Sequence, residues 1–189
     1  MANKIITISR EFGSGGRFIG EEVAKKLGMK YYDKDIISQI AEKLGFSKEY
    51  ISQNAELSPK KGLFAYALTG RDTTGKSVED MVYEAQRKVI LEIAENDSCV
   101  IIGRNADYIL KDRTDVINIF IHADMPEKVK RICRLYNVTE TEAVAMTADI
   151  DKRRMTNYRY YTDQKWGMAR NYTLTLNRCE KIIMECAQQ

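Results

Sequence analysis

Lys4–Arg17, KIITISREFGSGGR, is the stretch whose reading decides the fold. Lys4–Ser9 is short, β-branched and apolar on both faces, which predicts a buried strand. Arg17–Leu27 carries Phe18, Ile19, Val23, Ala24 and Leu27 at helical spacing, and Gly28 supplies a C-terminal stop. Between them lies Arg10-Glu11-Phe12-Gly13-Ser14-Gly15-Gly16, beyond the carboxyl end of the strand, where α/β sheets take their ligands. Glycines there let backbone N–H groups turn inward as an anion nest, and the following helix adds its positive end. Gly13, Ser14, Gly15, Gly16 and Arg17 are therefore the candidate phosphate-binding residues; the bland alternative is a glycine-rich turn with no ligand.

Working outward, the same alternation repeats. Tyr31–Asp33 reads as a short strand and Asp35–Leu44 as a helix. Ser77–Glu95 is a long amphipathic helix, Cys99–Ile102 a buried strand, and Val116–Ile121 another. Asp124 caps a helix with Pro126 in its first turn, and Thr139–Tyr161 gives a further helix with a very basic middle. Leu174–Leu176 is a last strand before a terminal helix from about Arg178. Strands alternating with helices imply a mostly parallel sheet covered on both faces, a three-layer α/β/α architecture.

Composition narrows the function classes. The chain has 189 residues, 44% hydrophobic and 30% charged, which predicts one globular domain over residues 1–189. A net charge of +3 is too small to argue for nucleic acid, but it suits a locally basic site for anionic ligands. Cys99, Cys133, Cys179 and Cys186 show no CxxC spacing and His122 is the single histidine, so reduced thiols are expected rather than a zinc site. No run approaches the ~20 apolar residues of a membrane span, and the N-terminus opens straight into a strand. The expectation is a cytoplasmic protein with no membrane or nucleic-acid partner.

The glycine loop departs from the usual phosphate-loop pattern G-x-x-x-x-G-K-[ST]. Gly16 stands where the lysine belongs and Phe18 where the metal-binding hydroxyl belongs. Arg17 can supply the charge, because a guanidinium grips two phosphate oxygens. Elsewhere Gly70-Arg71-Asp72-Thr73-Thr74-Gly75-Lys76-Ser77 matches the pattern letter for letter. Its preceding segment, Leu63–Leu68, has no β-branched residue and reads equally well as a helix or as the strand the pattern requires. A surface turn capped by Ser77 is the better reading, with Lys76 still able to reach a phosphate.

Several stretches together resemble the cytidylate kinase-like family, relatives of bacterial cytidylate kinase among the P-loop nucleoside monophosphate kinases. They are ITISREFGSGG-R at Ile5–Arg17, KLG-x-x-YYD at Lys26–Asp33, VIIGRNADYIL at Val100–Leu110, D-x-RR-x-x-x-Y-x-YYT-x-x-KWG at Asp151–Gly167 and NY-x-L-x-LN at Asn171–Asn177. The resemblance implies a five-stranded parallel sheet, an acceptor-binding insertion over about residues 34–75, and a helical lid over about residues 150–168. It implies nucleotide substrates, with ATP and Mg²⁺ as cofactors. Arg104 matches an arginine that holds the acceptor monophosphate, and Asp33 an acid near the acceptor nucleotide. Asp33 is also a weak candidate for Mg²⁺, although Asp33 or Asp35 is equally readable as a helix cap. Arg153 or Arg154 is expected to reach the transferring group, with Tyr158 beside the phosphates and Trp166 either packing or stacking on a base. Gln86 and Arg87 resemble the acceptor-pocket helix, or else an exposed face. Relative to true cytidylate kinases, Ile102 and Asn105 replace two acids flanking Gly103-Arg104.

Two classes of function follow. The first is a phosphotransferase moving the ATP γ-phosphate to a nucleoside monophosphate, CMP or dCMP by analogy, or to another small acceptor. The second is a non-catalytic nucleotide or anion sensor, since the loop lysine, the hydroxyl and an acid are all replaced.

Overall fold

The computed structural model describes residues 4–45 and 78–177. The strand β1 covers Ile5–Arg10 and β3 covers Cys99–Ile102, both buried along their whole length. With β2 (Lys30–Tyr32), β4 (Val116–His122) and β5 (Leu174–Asn177) they form one sheet in the order β2-β3-β1-β4-β5. Every neighbouring pair is parallel. The helices are α1 (Gly16–Leu27), α2 (Lys34–Leu44), α3 (Val78–Asn96), α4 (Ala106–Ile109), α5 (Met125–Tyr136) and α6 (Glu140–Thr162). The five-stranded, all-parallel sheet agrees with the expected α/β/α architecture. The Gly70–Ser77 match, Lys76, Cys179, Cys186 and the terminal helix from Arg178 lie outside the described residues.

Both faces of the central strands are covered, which explains why they read as continuous apolar runs rather than alternating ones. Ile5, Cys99 and Ile101 point to one core, shared with Ile36 and Ile40 of α2 and Val82, Val89 and Ile90 of α3. Ile6, Ile8, Val100 and Ile102 point to the other, against Ala24 of α1. Each buried isoleucine or valine contributes roughly 1.5–3 kcal/mol relative to exposure. On the α1 side the approach is close: a Cβ on Gly20 would land 2.5 Å from the Ile102 side chain.

Helix ends follow local chemistry. Gly28 closes α1 in the left-handed conformation, φ 63°, and its N–H reaches the carbonyls of Ala24 and Lys25. Pro126 sits in the first turn of α5, but the Asp124 side chain makes no capping bond there. It instead accepts from Asn177 Nδ2 at 3.4 Å. Thr139, expected as the first helical residue, is the N-cap of α6: it accepts from the Glu142 N–H, while Glu142 accepts from the Thr139 N–H at 2.8 Å. Thr139→Ala removes the hydroxyl half of this capping box and leaves the Glu142 side chain on the backbone N–H, and a loss of about 1 kcal/mol is expected. Thermal unfolding should register it as a fall of roughly 2–4 °C.

The order of strands opens the site. The chain leaves β1 toward β2 and leaves β4 toward β5, so the loops after these neighbours diverge and a crevice forms at their carboxyl ends.

Candidate functional site

The loop after β1 fills that crevice. Gly13 and Gly15 adopt φ of 78° and 81°, the left-handed region that glycine enters without strain. Close contacts demand glycine as well: a Cβ on Gly13 would lie 2.8 Å from Ile132 Cδ1, and one on Gly16 2.6 Å from Arg10 Cβ. Ser14 is buried and staples the loop internally. Its hydroxyl donates to the Glu11 carbonyl at 2.9 Å and accepts from the Gly16 N–H at 3.4 Å. Among the described residues the N–H groups of Gly13, Gly15 and Arg17 meet no acceptor, and the first turn of α1 carries no acid. This is a helix N-terminus open to an anion.

Arginines converge on it. Arg17, half exposed, pairs with buried Asp33 at 2.5 Å through its Nε. Burial draws the Arg17 guanidinium down, but Asp33 and Tyr31 outweigh it and leave it raised. Asp33 thus already carries a cation. Arg154 Nη1 donates to the Arg10 carbonyl at 3.1 Å, and Arg131 Nη1 to the Gly13 carbonyl at 2.6 Å. Arg153 lies 3.9 Å from Asp149 on its own helix. A cleft of about 310 Å³ runs over the loop between Arg17, Phe18, Arg131, Tyr136 and Arg154.

A buried charge cluster sits under the loop. Lys128 Nζ donates to Glu11 Oε2 at 2.9 Å and to Asp151 Oδ2 at 3.2 Å. Asp151 Oδ1 also accepts the Phe12 N–H at 2.7 Å. Burial pushes the Asp151 carboxyl up, against the pull of Phe12 and Lys128. The cluster clamps the loop to α5 and α6.

Arg104 occupies the turn after β3. Gly103, Arg104 and Asn105 all lie in the left-handed region, at φ 64°, 64° and 54°. For the two non-glycines this costs about 1–3 kcal/mol each and persists only where neighbours enforce it. The neighbours are visible: Gln86 Nε2 donates to the Arg104 carbonyl at 2.8 Å, and Asn105 Nδ2 to Asn157 Oδ1 at 3.1 Å. Gln86 is therefore fully buried against the site, whereas Arg87 is exposed. A narrow pocket of about 10 Å³, the room of one water, lies between Ser9, Arg10, Arg104, Asn105, Arg154 and Trp166.

Tyr158 lies below this pocket. It is 2% exposed, and its hydroxyl donates to Asp107 Oδ2 at 2.7 Å. Trp166 packs edge-on against Phe120, with ring centroids 5.2 Å apart, while still lining the pocket. Tyr161 stacks on Tyr83 of α3 at 3.9 Å. The second half of the expected lid segment is thus anchored on the body, and Arg154, in the first half, projects toward the loop.

Sequence reasoning missed Glu11, Asp107, Lys128 and Arg131. Lys128 and Arg131 were readable as cations one turn apart on a helix following a strand. Glu11 and Asp107 were readable only as acids inside otherwise recognised stretches.

The donors fit a polyphosphate: open N–H groups at a helix start, ringed by guanidinium groups. A divalent cation finds no comparable cage, since among the described residues no three His, Cys, Asp or Glu side chains come together. Among known proteins, the chain is 25% identical over 177 residues to a cytidylate kinase of Archaeoglobus fulgidus, covering 91% of this chain and 84% of the relative. A crystal structure of an uncharacterized protein from Eubacterium ventriosum superimposes with a TM-score of 0.71 at 24% identity, covering 99% of each chain. Shikimate kinase from Bacteroides thetaiotaomicron superimposes with a TM-score of 0.53 at 16% identity, over 98% of this chain and 94% of that one, and shows the shared P-loop kinase fold. The family model that describes this architecture matches residues 5–179, so the chain belongs to the cytidylate kinase-like family.

Proposed function

We propose that this protein is a nucleoside monophosphate kinase that transfers the γ-phosphoryl group of ATP to CMP or dCMP. The observation carrying the reading is the open glycine loop ringed by Arg17, Arg131 and Arg154, with Arg104 across the crevice on the acceptor side. Phosphoryl transfer asks a protein for positioning and spread positive charge more than for covalent chemistry. ATP supplies the phosphoryl group, which passes to an oxygen of the acceptor phosphate as the bond to the departing ADP breaks. The N–H groups of Gly13, Gly15 and Arg17 hold the donor phosphates. Arg104 holds the acceptor phosphate, and Arg154 stands between the two sides. Because Asp33 is engaged by Arg17, Mg²⁺ is read as arriving on the nucleotide, held chiefly by phosphate oxygens.

The same Arg17–Asp33 pair favours a second reading, a nucleotide sensor that binds without transfer. Titrating CMP, dCMP, other nucleoside monophosphates and sugars against ATP and Mg²⁺ decides between them. The kinase reading expects ADP and a phosphorylated CMP or dCMP. No product with any acceptor sinks it, and a melting temperature raised by ATP without dependence on Mg²⁺ then supports the sensor.

A further inference from the structure

Asp107 is a buried acid with no role in the reading above. It lies in the first turn of the short helix α4, three residues after Arg104, and is 3% exposed. Its Oδ1 accepts from Ser9 Oγ at 3.4 Å and its Oδ2 from the Tyr158 hydroxyl at 2.7 Å. Ser9 lines the narrow arginine pocket, and Tyr158 lies one turn beyond Arg154 on α6. One carboxylate therefore ties the end of β1, the turn after β3 and the helix bearing Arg154.

Resting on the acceptor-pocket reading above, we infer that Asp107 is a positioning residue whose bonds to Ser9 and Tyr158 set the spacing of Arg104 and Arg154 across the acceptor phosphate. A bond kept only for stability would be poorly placed here. Burial pushes the Asp107 carboxyl up, and the hydrogen bonds from Tyr158 and Ser9 offset this only in part. An acid raised in the folded state loses stability as pH climbs from its unfolded value through its folded one. Above that window the charge is a standing cost, of the kind tolerated where geometry matters to function. Leucine at position 107 is close in volume and can bond neither Ser9 nor Tyr158, whereas asparagine keeps one acceptor for Tyr158 and offers its amide to Ser9 Oγ.

The test uses the full chain at pH 8, with Trp166, its single tryptophan and a wall of the pocket, as the fluorescent reporter. CMP and inorganic phosphate are titrated into the parent, Asp107→Leu, Asp107→Asn, Tyr158→Phe and the double variant of Asp107→Leu with Tyr158→Phe, and melting temperatures are recorded. We expect Asp107→Leu to bind both probes about tenfold more weakly, and Asp107→Asn, which keeps both bonds, to bind them as the parent does. The double variant should be no worse than the poorer single one, because both changes break one linkage. Dissociation constants of Asp107→Leu within twofold of the parent overturn the inference whatever happens to the melting temperatures, and so do an equal loss in Asp107→Asn and losses that multiply in the double variant. If the parent itself responds to neither probe, the acceptor-pocket reading falls too; if the parent binds and the variants match it, only the role of Asp107 falls.

Discussion

Arg17→Ala should lower phosphoryl transfer about 10²–10³-fold, the scale of losing one preorganised donor to a transferring group. Two effects combine. The substitution removes a cation lining the cleft over the loop, and it leaves the buried Asp33 carboxylate without its partner. A repelling charge then replaces an attracting one. Arg17→Lys should restore little, because an ammonium lacks the fork that lets Nε hold Asp33 while the terminal nitrogens address phosphate. ATP binding in Arg17→Ala and Lys76→Ala, measured by calorimetry, checks the choice of loop directly. If Lys76→Ala alone abolishes binding, the Gly70–Ser77 segment is the phosphate loop and the present reading is wrong.

Lys128→Met carries the largest expected cost in stability. Lys128 is 5% exposed and serves both Glu11 and Asp151. Removing one partner from a buried ionic cluster typically costs about 3–5 kcal/mol, because the remaining charge is desolvated without compensation. For a chain of this size that corresponds to a fall of roughly 6–20 °C in melting temperature. The pH dependence has a definite sign. Asp151 is raised in the folded protein, so it binds its proton more tightly folded than unfolded, and stability drops as pH rises between those two values. Without Lys128 the folded value climbs further and the window widens. The deficit of Lys128→Met relative to the parent should therefore be larger at pH 8 than at pH 5. A deficit independent of pH would mean that Asp151 does not feel the lysine.

Much of the fold was legible because it rests on local rules. Cys99–Ile102 occupies the strand expected of it, and α1 begins one residue before its expected start, at Gly16. Those elements follow from β-branched runs, helical spacing and glycines at forced turns. The short helix α4 went unread because four residues are too few to show a period. The glycine loop was legible for the same local reason, its glycines being required by φ and by contact at Gly13. Roles within the basic segment were not. Arg153 and Arg154 are neighbours in sequence, yet one faces Asp149 and the other the Arg10 carbonyl. Their division depends on which side of α6 meets the loop.

The sequence by itself therefore determined the parallel sheet, the helix-opening glycine loop and the family. Each depends on residue types at short spacing, where propensity and periodicity act. Only the tertiary structure decided that Asp33 holds Arg17, that Lys128 bridges Glu11 and Asp151, and that Asp107 joins Ser9 to Tyr158. Glu11 and Lys128 are 117 residues apart and Ser9 and Asp107 98 apart, far beyond any local period. Such pairs exist because the parallel sheet returns each strand's carboxyl end to the same edge. Charges scattered along the chain meet there, and their pairing sets which of them are left to face a ligand.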